Sequence, residues 1–147
     1  MLMETVRTRD ISTSIFDFFR KVKKGTYILQ SKLGRSFSWD VYKQSRFIEL
    51  CLIRVPIQSI YMVEQHDGKS LVLDGFQRLS TLQSFLENKL VLDLGTLSVG
   101  NFNLKRFKDL PQATQRYLED SWIKVYELDC TTPLLDLRRI DEGLNSK

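Results

Sequence analysis

The stretch that most constrains this chain runs from Leu71 to Leu82. Leu71, Val72 and Leu73 are apolar and lead straight into Asp74 and Gly75, and helical spacing begins at once afterwards. This order predicts a buried strand that stops sharply, with Asp74 capping a helix that begins near Gly75. The turn would gather Asp74, Gln77 and Arg78 at a helix N-terminus, where backbone N–H groups lack partners and the dipole favours anions. Because residues 69–73 are almost wholly apolar, the strand is expected to lie centrally in a sheet.

The rest of the chain supplies neighbours for that corner. Ser12 or Thr13 can cap a first helix whose Ile15, Phe18, Phe19 and Val22 recur on one face, with Gly25 placed to end it. Residues 26–29 are β-prone. Asp40 is the next capping residue, opening a helix over residues 41–53 with Phe47, Ile48, Cys51 and Leu52 inward; Val55 before Pro56 forces an end. Residues 57–63 read as a strand, and Asp67-Gly68 as a hairpin-type turn. After the corner, Leu79, Leu82, Phe85 and Leu86 face inward to about Asn88. Residues 90–94 read as a further strand and residues 95–104 as a loop. Asp109 and Pro111 mark a short helix ending near Glu119, residues 122–128 an alternating strand, and residues 134–140 a last helical segment. Helices and strands alternate, but hairpin signals are also present. A compact α+β domain with a mixed sheet and flanking helices is expected, as one domain over residues 1–147.

Charge and cysteine usage narrow the function classes. Of the 147 residues 22 are basic and 18 acidic, a net +4 that permits a nucleic-acid or nucleotide partner without demanding one. The basic cluster at residues 20–24 reads first as a solvated helix end whose charges suit the dipole, with a phosphate-contact patch as the alternative. Cys51 and Cys130 lack a second Cys or a His at metal-ligand spacing and read as reduced packing residues. His66, the single histidine, falls in a turn, which argues against zinc or Cys-His chemistry. No run is long enough to cross a membrane and the first seven residues have no apolar centre, so a cytoplasmic protein without a membrane partner is expected.

Three segments could carry chemistry. At the corner, Gly75 lets a ligand or another backbone approach, and Arg78 can hold a phosphate in bidentate fashion. Asp74 could coordinate a metal, act as a base, or only cap. In the second segment, Arg35 lies among Gly34, Phe37 and Trp39; it could contact phosphate or stack on a base, or be a surface arginine with both aromatics in the core. The third, Arg138 to Gly143, reads by composition as a solvated charged tail.

Taken together these segments resemble the N-terminal domain family of GmrSD-type restriction systems, whose hallmark is an Asp-Gly-Gln-Gln-Arg motif. The resemblance runs from about Ile11 to Ser146 and is most specific over Asp74 to Leu82. Residues 107–111, 123–128 and 137–145 are similar to the family as well. Phe76 stands where the family usually has its first Gln, Gly34 where a Gln commonly precedes Arg35, and Asp141 where an Asn is usual. Each swap removes an amide able both to donate and to accept. Family members often continue into further helices and sometimes an HNH nuclease domain, and no HNH motif occurs here. A truncated homologue, a fragment or one subunit of a pair would each fit.

The resemblance implies a ParB/sulfiredoxin-like fold and a role in anti-phage defence. The site it implies has Asp74, Gln77 and Arg78 as catalytic residues, with Arg35, Gly75, Arg78 and Arg139 on phosphate. The ligands it implies are a nucleoside triphosphate with a divalent metal such as magnesium, DNA, and a nuclease subunit. NTP hydrolysis would regulate or accompany DNA cleavage. The alternative is a non-catalytic DNA- or partner-binding module, and a third is a remnant without ligand, recognisable by Arg78 paired internally with no cleft beside it.

Overall fold

The computed structural model describes residues 5–145, apart from the side chain of Leu97. The expectations resting on Met1 to Glu4 and on Ser146 lie outside those residues. In chain order the elements are β1 (Thr8–Asp10), β2 (Thr13–Ser14), α1 (Ile15–Lys23), β3 (Tyr27–Ser31), α2 (Val41–Leu52), β4 (Ile60–Glu64), β5 (Ser70–Asp74), α3 (Phe76–Leu86), α4 (Gln112–Asp120), β6 (Trp122–Ile123), β7 (Val125–Leu128) and α5 (Leu134–Asn145).

Five strands form one sheet in the order β1-β7-β4-β5-β3, and β2 pairs β6 in a small separate ribbon. The large sheet is mixed: β7 and β4 run parallel, β4 and β5 antiparallel, β5 and β3 parallel. β5 therefore has a partner on each side, as its apolar sequence requires. Alternation along the strands separates two packing faces. Ile60, Met62, Val72 and Val125 join the main core with Ile15, Phe18, Ile48, Leu79, Leu82 and Phe85 from the helices. Val63, Leu73 and Leu128 face the other way, where Leu137 of α5 meets them. The domain is thus the α+β mixed-sheet architecture that the pattern predicts, with α5 on the face opposite α1–α3.

Several expected details shift, each for a local reason. The cap of α1 is Ser14, whose Oγ accepts from the Asp17 amide at 3.1 Å, rather than Ser12 or Thr13. The Ser12 hydroxyl is engaged elsewhere, donating to Asp10 and accepting from the Val125 amide at 3.0 Å. Residues 90–94 form no strand. Leu90, Leu92 and Leu94 are buried in alternation, but the Asp93 amide donates to Ser45 Oγ and the Leu94 amide to Asn103 Oδ1, both at 2.8 Å. Side chains thus hold two of the donors that a ladder would need, and among the described residues cross-loop backbone pairing is confined to Leu92, which bonds Leu104 and Lys105. Asp109 turns back to accept from the Arg106 amide at 2.9 Å, capping a short 3-10 turn (Phe107–Asp109), so Pro111 occupies the cap position of α4. The expected strand over 122–128 is divided into β6 and β7, and α5 extends five residues past Ile140, to Asn145.

Candidate functional site at the β5–α3 corner

The corner forms as a sharp strand-to-helix turn, with one change of role. Gly75, not Asp74, is the N-cap of α3, at φ 110°, and no side chain caps the helix. A β-carbon on Gly75 would lie 2.4 Å from Ile60 Cδ1, so a side chain has neither the backbone angle nor the room it needs. Asp74 instead accepts from Arg78 Nη2 through Oδ2 at 3.2 Å. Arg78 also donates from Nη1 to the Gln58 carbonyl at 2.5 Å and from Nη2 to the Ser59 carbonyl at 3.4 Å. Its side chain is 12 % exposed. Burial draws this guanidinium below its ordinary pKa, against the opposing pull of Asp74. Arg78 therefore clamps the entry of β4 to the end of β5.

Gln77 also works inward. Its Oε1 accepts from the amides of Ser38 at 2.9 Å and Trp39 at 3.3 Å, and its Nε2 donates to the Ser36 carbonyl at 3.0 Å. All three bonds go to the segment that carries Arg35. That segment then passes through Trp39 into Asp40, whose carboxylate caps α2 by accepting from the Lys43 amide at 2.8 Å. Phe37 is exposed and Trp39 half-buried, edge-on to Phe47, so the pair does not form the core that one reading of this segment proposed.

Between these parts lies a cleft of about 600 Å3. Its lining brings together Arg35, Asp74, Gly75, Gln77 and Arg78, five of the six residues that the sequence singles out. Phe76, the first residue of α3, is also in the wall. Arg139 is exposed on α5 and is not among the lining residues; α5 contributes Leu144 and Asn145 instead. Arg139 was expected on phosphate; the residue that ties α5 to the site is Asp141. Its buried carboxylate is ion-paired with Arg35, whose own side chain remains 49 % exposed, and its Oδ1 accepts from Asn145 Nδ2 at 3.0 Å.

Lys43 is a candidate site residue that the sequence reading does not single out. It lines the cleft, and its Nζ lies 5.2 Å from the centre of the Trp39 ring. Helical spacing does not announce the pair, because Trp39 precedes the N-cap Asp40 and lies outside α2. Cys51, at the base of the cleft, is buried, and burial pushes its thiol up to about 12. It is a packing residue, as expected. Cys130 is half-buried and bonded to Asp129, which raises its pKa. Among the described residues, Glu64, Asp129 and Cys130 bring potential ligand atoms within 4.8 Å of one another, at the far ends of β4 and β7 from Asp74. At the cleft itself the carboxylate in the lining is Asp74, with one oxygen taken by Arg78. One half-engaged carboxylate does not build a cage for a free ion.

The fold and the cleft together define a small α+β domain with a cationic, aromatic-edged depression at a strand–helix corner. The chain belongs to the family of the GmrSD restriction endonuclease N-terminal domain, whose model matches residues 15–142. Membership places it among the components of restriction-type defence systems, in which a nuclease domain is the associated partner. No curated protein and no solved structure matches the chain. Among the described residues, no helix is long and apolar enough to cross a membrane.

Proposed function

We propose that the cleft binds phosphate groups, those of a nucleoside triphosphate with magnesium or of DNA, within a restriction-type system. The observation that carries this reading is the uncapped start of α3. Its first-turn residues line a cleft whose wall sets Arg35, Lys43 and Arg78 against the single carboxylate of Asp74, and free N–H groups at such a start suit an anion. Arg35 and Lys43 would meet the phosphates directly. Arg78 and Gln77 would act as positioning residues, one fixing Asp74 and the other fixing the Arg35 loop. Magnesium, when bound with a nucleotide, would neutralise phosphate charge beside Asp74. Asp74 could also orient a water for in-line attack, which would make the domain NTP-hydrolysing. The relationship to ParB/sulfiredoxin-like folds belongs to the same reading.

Calorimetry with ATP and GTP, with and without magnesium, tests it. Lys43→Ala should weaken binding by roughly tenfold, the loss of one charge-assisted contact, without disturbing the fold. Arg78→Ala should abolish binding by releasing the corner. Asp74→Asn should retain binding and stop phosphate release. Failure of the wild-type protein to bind any nucleotide would remove the nucleotide version and leave DNA as the ligand. A specific observation favours the second, non-catalytic reading: Gln77 and Arg78, both expected to act in catalysis, spend their hydrogen bonds internally. The remnant reading required Arg78 to be paired with no cleft beside it, and the cleft argues against that.

A further inference from the structure

A second cleft, of about 290 Å3, adjoins the first. Both are walled by Cys51, Val55, Pro56 and Ile57, so the turn after α2 is a divider between two halves of one surface. The second half is built differently from an ordinary gap. Arg54 holds its guanidinium 4.2 Å from the centre of the Tyr117 ring. Arg54 also sits at φ 73°, a left-handed angle that favours glycine. Trp122, on the short β2–β6 ribbon, lines the same cleft and is 68 % exposed.

The two halves repeat one pairing. In the first, Lys43 lies over Trp39; in the second, Arg54 lies over Tyr117. Each half thus sets a cation that can meet a phosphate on an aromatic ring, and in the second half the exposed Trp122 adds a ring for a base, the two chemistries that recur once per nucleotide. Across both linings the charged side chains are Arg35, Lys43, Arg54 and Arg78 against Asp74. That balance complements a polyanion.

We propose that the Arg54–Tyr117–Trp122 cleft is a base-stacking subsite, and that a single-stranded segment of nucleic acid crosses the divider with successive nucleotides in the two halves. This rests on the phosphate reading of the first cleft and extends it from a mononucleotide or a duplex backbone to an unpaired strand. A paired base inside a duplex keeps its face against its neighbours and cannot reach Trp122, so the ligand is a strand with bases turned out.

Fluorescence anisotropy with labelled oligo-dT and oligo-U of roughly eight residues, and a duplex of equal length, tests the inference. The single strands should bind, more weakly as salt rises, and more tightly than the duplex. Binding by either sugar type supports the subsite, and their ratio identifies the source. Trp122→Ala and Arg54→Gly should each weaken oligonucleotide binding by about tenfold, the scale of one lost stacking contact. Both should leave ATP affinity unchanged. Glycine suits the backbone at position 54 and Trp122 is largely exposed, so both variants should stay folded; circular dichroism checks this. Wild-type affinity in both variants, or equal affinity for the duplex, would overturn the inference. ATP binding without oligonucleotide binding would overturn it while sparing the phosphate reading. Absence of both would remove the two together.

Discussion

At the scale of single residues, the corner depends on what Gly75 lacks. Its φ of 110° lies in the region that L side chains rarely adopt, and the space a β-carbon would take is held by Ile60, itself buried at the start of β4. Gly75→Ala is therefore expected to destabilise the protein by about 2–3 kcal/mol, combining backbone strain with the displaced isoleucine. The measurement is the urea midpoint. A change below about 0.5 kcal/mol, the size of an ordinary surface substitution, would show that the corner relaxes easily and that the tight turn does not hold the site. Gly75 was legible in the sequence as a place of close approach. That it, and not Asp74, occupies the cap position was not legible. Asp74 is a strong capping residue in isolation, and what draws it away is Arg78, together with the carbonyls of Gln58 and Ser59 that Arg78 also holds.

At the scale of elements, the site is a strand end, a helix start and a loop, joined by one amide. Gln77 spends its side chain on Ser36, Ser38 and Trp39, so α3 determines where the Arg35 loop lies. Gln77→Ala should release that loop while leaving α3 intact. Hydrogen exchange at the Ser38 and Trp39 amides should accelerate by at least about tenfold, the equivalent of roughly 1.4 kcal/mol of lost protection. Unchanged exchange at both amides would assign the loop's order to Trp39 and Phe47 instead. The elements that could be read in advance were those with local signals of their own. Asp40 caps α2 as its position predicts, the stripe of Ile15 and Phe18 is buried, and the apolar run of β5 is flanked on both sides. The elements that could not be read carry no such signal. β1 and β2 are three and two residues long and exist through pairing with β7 and β6, more than a hundred residues away. Residues 90–94 had the alternation of a strand, but Asp93 and Leu94 give their amides to Ser45 and Asn103, a competition visible once the partners are in place.

At the scale of the whole molecule, α5 joins the second face of the sheet to the cleft. Leu137 packs against Val63, Leu73 and Leu128 on the face away from the main core, while Leu144 and Asn145 reach the edge of the cleft. Asp141 lies between them and ties the helix to Arg35 through a buried carboxylate. The pairing has two opposed effects. It holds Arg35 at the cleft, and it neutralises part of the charge that Arg35 would offer to a phosphate. Asp141→Asn separates them, because an amide can still accept from Arg35 and engage Asn145 but carries no charge. The expected result is a fold weakened by about 1–2 kcal/mol, since a charged hydrogen bond becomes a neutral one, together with ATP or oligonucleotide affinity raised by about fivefold, or roughly 1 kcal/mol. Denaturation and binding titrations on the same variant check both halves. If affinity falls with stability, placement of Arg35 outweighs its neutralisation, and α5 is a brace for the site. If affinity rises while stability falls, the carboxylate restrains the site it helps to build, and any partner that drew α5 away from the sheet would strengthen the hold of the cleft on its ligand.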